Sequence, residues 1–66
     1  MLSAKDALLK LKSKIVQSIR STQEVILYSA NCGNYDLAAK FQSEIEGRES
    51  VLYMIDEVLN ELKTPS

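Results

Sequence analysis

The chain has 66 residues, a formal net charge of -1, one cysteine and no histidine. A chain this short is one domain at most and buries only about 60% of its unfolded surface, so it needs a staple or a partner. The lone Cys32 excludes an intrachain disulfide, and without a histidine it makes a zinc site untenable, since structural zinc takes four N or S ligands. The near-neutral charge argues against nucleic acid, which requires a concentrated cationic surface. No apolar run approaches the roughly 20 residues that span a bilayer. The opening Met-Leu-Ser-Ala-Lys-Asp lacks the basic and apolar regions of a signal peptide. The expected compartment is cytoplasmic, where an unpaired cysteine is ordinary.

Ser3 followed by Asp6 has the spacing of a helix-capping box, with aspartate in the usual glutamate position. From there to Asn31 no Gly or Pro interrupts the chain, which predicts a helix over about 3–31. Ala4, Leu8, Leu11, Ile15, Ile19, Thr22 and Ile26 recur in steps of three and four and form its expected buried face. Asp6, Lys10, Ser13, Gln17, Arg20 and Glu24 lie opposite.

Asn31-Cys32-Gly33-Asn34 is the strong break. Gly33 suits the left-handed position that ends a helix, and Asn34 suits the N-cap of the next. So short a turn, over 31–34, makes the helices antiparallel neighbours. The second helix is expected over about 35–63. Its seam alternates threes and fours through Ala38, Phe41, Ile45, Arg48, Leu52, Ile55, Leu59 and Leu62, a coiled-coil repeat with one charged interruption. Pro65 follows, where a helix stop belongs. The expected fold class is therefore all-α: one antiparallel, coiled-coil-like two-helix hairpin over 1–66, completed by a partner or by a homodimeric four-helix bundle.

Charge supports the antiparallel pairing. Residues 1–33 carry Lys5, Lys10, Lys12, Lys14 and Arg20 against Asp6 and Glu24, whereas Asp56, Glu57 and Glu61 crowd the end of the second helix. Each cluster sits at the unfavourable end of its own helix dipole. Antiparallel packing sets the two clusters side by side and offsets that penalty.

More apolar surface remains than one seam covers. Val51, Met54 and Val58 flank the second helix's seam and extend it through Ile55 and Leu62; Leu9, Val16 and Leu27 form a second stripe on the first helix. These eight residues are the candidate partner-binding set, because a monomer rarely leaves so large an apolar patch in water. The partner is either a second copy or a different protein. Arg48 suits an acidic partner residue or a snorkelling side chain, and Gly47 a close approach or a tolerated helix glycine. Tyr28, Tyr35 and Tyr53 suit interface anchors, although Tyr35 equally suits packing beside the turn. Cys32 has no cationic neighbour in sequence to activate it and reads as structural. With no Gly-rich phosphate loop, no nucleophile–base pair and too little chain to enclose a pocket, the chain is expected to be no enzyme, to need no cofactor and to bind no small-molecule substrate or membrane.

Three families share features with this chain. Gly33 to Phe41 resembles a helical-repeat turn of the tetratricopeptide type, although a single hairpin is no solenoid. Tyr35 to Ile45 is similar to the UVR motif of nucleotide-excision-repair proteins, but Gln42-Ser43 stands where that motif has Arg-Asp. Nearly the whole chain resembles the small subunit of the type III secretion needle chaperone (the YscE/PscE family). The matching pieces are Phe41-Gln42, Glu49-Ser50, Leu52 to Ile55 and Glu61-Leu62-Lys63 after a Gly-containing turn. That resemblance implies a co-chaperone that stabilises a larger tetratricopeptide-like subunit and so keeps the needle subunit monomeric. A homodimeric interaction or regulatory module, UVR-like or phage-type, is the alternative.

Overall fold

In the computed structural model, which describes residues 3–63, Ser3 has extended backbone and its Oγ accepts a hydrogen bond from the Asp6 amide at 3.1 Å. That cap starts α1, Ala4–Asn31, and the second helix, α2, runs Tyr35–Lys63. Pro65, the expected stop, lies outside the described residues. Between the helices the chain closes a Schellman turn. The Asn34 amide donates to the Ser29 carbonyl at 2.8 Å and the Gly33 amide to the Ala30 carbonyl at 3.0 Å, with Gly33 at φ 80°. Asn34 then caps α2, its Oδ1 accepting from the Leu37 amide at 3.3 Å.

Gly33 owes its place to backbone conformation alone, since an added Cβ would meet nothing within 4 Å. Gly33→Ala is therefore expected to lower stability by about 1–2 kcal/mol, the penalty of a left-handed L-residue. Urea titration at fixed protein concentration should show a lower midpoint with an unchanged slope.

The two helices pack as an all-α hairpin along a seam that alternates threes and fours on both sides. From α1 come Leu8, Lys12, Ile15, Ile19, Thr22, Ile26 and Ser29; from α2 come Ala38, Phe41, Ile45, Arg48, Leu52, Ile55 and Leu59, every one buried or half-buried. The start of α1 departs from expectation. Leu11 and Ala4 are exposed, and Lys12 takes the seam position. The reason is angular: at about 100° per residue, consecutive four-residue steps from Leu11 to Ile15 to Ile19 drift some 80° across the helix, whereas alternating steps hold one line. Leu62 is half-exposed at the open end of the hairpin.

Lys12, Thr22 and Arg48, polar side chains of the seam, make contacts across it. Lys12 Nζ pairs with Asp56 Oδ1 at 2.7 Å, with both side chains still partly exposed, and this is the ion pair the opposed charge clusters form among the described residues. Its net contribution is about 0–1 kcal/mol. Arg48 Nη1 donates to Thr22 Oγ1 at 3.0 Å, and the Thr22 hydroxyl donates to the Ser18 carbonyl at 2.9 Å. Arg48 thus bridges the two helices.

Among the described residues only Ile45, Ile55 and Leu59 are buried apolar side chains. At roughly 1.5–3 kcal/mol each, they are a thin return on ordering a chain that gives up about 1–2 kcal/mol per residue in backbone entropy. The molecule measures 52 × 22 × 11 Å, a single layer of helix. Its radius of gyration of 15.4 Å exceeds the roughly 11 Å of a compact domain this long. Its accessible surface is 5196 Å², against roughly 4200 Å² for a folded monomer of its mass.

Candidate docking flank

The contacts Lys12–Asp56 and Thr22–Arg48 fix the antiparallel register of the hairpin. In an antiparallel pair with a three–four seam, the column just before the first seam position of each helix falls on one side, and the column just after the second falls on the other. The first columns are Leu11, Ser18 and Val25 on α1 with Leu37, Glu44, Val51 and Val58 on α2. The second are Leu9, Val16 and Gln23 with Gln42, Glu49, Asp56 and Lys63. An open cleft lined by Leu9, Lys12, Asp56 and Lys63, among others, bears out that second grouping.

The two flanks differ in chemistry. On the first, Leu11, Val25, Val51 and Val58 are exposed, with Met54 beside Val51 and Val58, and Leu62 beyond them at the open end. Val51 and Val58 are each 41% exposed: they are anchored beside the seam, yet each leaves a face uncovered by the hairpin. In the columns next to the seam the charge on this flank is Glu44; Lys40 and Glu61 share the outer column of Met54, and Lys14 lies in the corresponding column of α1. The second flank carries Gln23, Gln42, Glu49, Asp56 and Lys63 beside Leu9 and Val16, and its clefts are lined by Leu9, Leu52, Tyr53 and Leu59 as well as by Glu49, Asp56, Lys5, Lys12 and Lys63.

The candidate partner residues therefore separate. Val51, Met54, Val58 and Leu62 share the apolar flank. Ile55 does not: it is only 5% exposed, buried between the helices, and leaves the candidate set. The stripe of Leu9, Val16 and Leu27 lies away from this flank and is discontinuous. Leu9 and Leu27 are exposed, Val16 is half-buried, and Gln23 and Arg20 interrupt the line between Val16 and Leu27.

Leu11 and Val25 are the residues of this apolar flank that the sequence reading did not place there. Leu11 was expected in the seam, and Val25 was given no role. A signal for both exists: extending the strict three–four alternation of Ile15, Ile19, Thr22 and Ile26 backwards lands on Lys12 and Leu8, which pushes Leu11 and Val25 to the side.

Tyr28, Tyr35, Tyr53 and Cys32 are exposed. Tyr53 and Asp56 line an open cleft on the polar flank with Glu49 and Leu52. Gly47 lies one column outward from Val51, and an added Cβ there would meet nothing within 4 Å, so no contact inside the hairpin requires glycine. No protein-family model, curated protein or solved structure matches the chain, so the assignment of a role rests on the hairpin's own apolar flank.

Proposed function

We propose that this chain is a non-enzymatic binding subunit that lays its Leu11–Val25–Val51–Val58 flank against the helices of another polypeptide. The observation that carries the reading is the single-layer fold. A hairpin 11 Å thick with three buried apolar side chains among the described residues leaves an apolar flank running over both helices. Domains are stable when at least two layers enclose a core, and the second layer has to come from elsewhere. The surplus accessible surface, roughly 1000 Å² above a compact monomer, is close to the ~800 Å² that one partner contributes to a standard interface.

In the form implied by the resemblance to small needle-chaperone subunits, the chain is a cytoplasmic co-chaperone whose larger partner is a tetratricopeptide-like subunit. The need for such a pair is physical: a subunit that polymerises through apolar helix faces must have them covered until export. No described helix is long and apolar enough to cross a membrane, which agrees with a role away from the bilayer. Purification from native cells with the wild-type chain and with Val51→Glu/Val58→Glu as parallel baits tests the reading. A helical-repeat protein recovered with the first and lost with the second is the expected outcome, with a needle subunit alongside it in the chaperone form. Recovery of the same proteins with both baits would place the function on another surface.

A further inference from the structure

We propose that the second flank binds a helical polypeptide segment with acidic side chains at one end and a basic one about four turns away. This is a separate site, across the seam from the apolar flank, and it stands whether or not that flank is occupied.

At the open end of the hairpin a cleft of about 510 Å³ is lined by Lys5, Lys12, Lys63 and Asp56 and by the apolar Leu9 and Leu59. Asp56 is committed to Lys12 Nζ at 2.7 Å, and among the described residues neither Lys5 nor Lys63 forms an ion pair. The cleft therefore holds two uncompensated ammonium groups in a chain whose net charge is -1. Lys5 stands in the first turn of α1, where the helix dipole disfavours a cation, and no described carboxylate offsets that cost. Asp56 also lines a second cleft, with Glu49, Leu52 and Tyr53. Glu49 too has no ion pair among the described residues. The two clefts adjoin at Asp56 and form one groove, cationic at Lys5 and Lys63 and anionic at Glu49, with Leu59 and Leu52 between those ends on α2.

That pattern of charge selects the occupant. A small anion needs walls that bury most of its surface, and both clefts lie open. A nucleic acid or an anionic bilayer would set phosphates against Glu49 and Asp56 along the same groove. A polypeptide of mixed charge satisfies both ends. Its carboxylates meet Lys5 and Lys63, its cationic side chain meets Glu49, and the apolar residues between them cover Leu9 and Tyr53. Tyr53 is 74% exposed and is the largest side chain lining the groove, of the kind that anchors interfaces. Glu49 and Lys63 stand about four turns apart on α2, or ~21 Å, so a helix laid alongside matches that span turn for turn.

Three helical peptides of about four turns, sharing one apolar face, probe the groove. One has glutamates in its first turn and an arginine in its last, one has glutamates in both, and one has arginines in both. Titrated into the isotope-labelled full chain, the mixed peptide should bind tightest and shift the amide resonances of Leu9, Asp56 and Leu59 rather than those of Leu11 and Val25. Lys5→Glu/Lys63→Glu should weaken the mixed peptide about tenfold and make the all-basic peptide the tightest. Glu49→Lys should make the all-acidic peptide the tightest. All three side chains are exposed, so both variants should keep the wild-type circular dichroism. Val51→Glu/Val58→Glu should bind the mixed peptide as the wild type does, which separates this site from the apolar flank. Equal affinity for the three peptides, or a ranking that the charge reversals leave unmoved, overturns the proposal. Resonance shifts confined to Leu11 and Val25 overturn it as well. So does a free chain that sediments as a dimer which Lys5→Glu/Lys63→Glu dissociates, since a second copy is then the occupant.

Discussion

Replacing Val51 and Val58 together with glutamate should leave the hairpin helical and weaken its association by two or more orders of magnitude. Both residues stand beside the seam and are 41% exposed, so glutamate can turn outward in the isolated hairpin without displacing Ile45, Ile55 or Leu59. At a covered flank the same side chains would be desolvated. The lost apolar burial contributes on the order of 1 kcal/mol per valine, and each unpaired carboxylate adds about 2 kcal/mol or more. Since 1.4 kcal/mol is tenfold in affinity, the two sites together exceed a hundredfold. Far-ultraviolet circular dichroism should match the wild type, while sedimentation should show the mass of one chain where the wild type associates. Leu9→Glu/Leu27→Glu, away from the apolar flank, is the matched control and should change neither reading. If the valine variant keeps full association and the control loses it, the docking face has been assigned to the wrong side.

Ile45→Glu should instead abolish the fold. Ile45 is 3% exposed, the most buried apolar side chain among the described residues, and lies in the seam of α2. Removing a buried isoleucine typically costs 2–5 kcal/mol, and an uncompensated charge in its place adds more. A hairpin with three buried apolar side chains among the described residues has no comparable reserve. The helical signal at 222 nm should fall to that of a largely unfolded chain, and Ile45→Ala should lie between that and the wild type in urea midpoint. The contrast between the two experiments carries the weight. Loss of helicity in Val51→Glu/Val58→Glu as severe as in Ile45→Glu would make those valines part of the core and remove the flank as a docking surface.

What the sequence by itself determined was whatever local chemistry controls. Ser3, Gly33 and Asn34 end and begin helices through hydrogen bonds and backbone angles within a few residues of themselves, so the helix bounds and the antiparallel turn are legible from the chain alone. The α2 seam from Ala38 to Leu59 is legible for the same reason: its alternation of threes and fours is unbroken, and one line of residues satisfies it. The tertiary structure decided the phase of α1 near its start, where Leu11 and Lys12 both offer a seam position. It also decided the role of Ile55, which the hairpin buries, and the side of the seam on which each leftover stripe falls. A helical wheel gives every residue an angle on its own helix but says nothing of what stands beside it on the other. That relation is set by the cross-helix register, fixed here by Lys12 with Asp56 and Thr22 with Arg48. These pairs are 44 and 26 residues apart in the chain, beyond the reach of any local pattern, and only through them do Leu11, Val25, Val51 and Val58 become one surface.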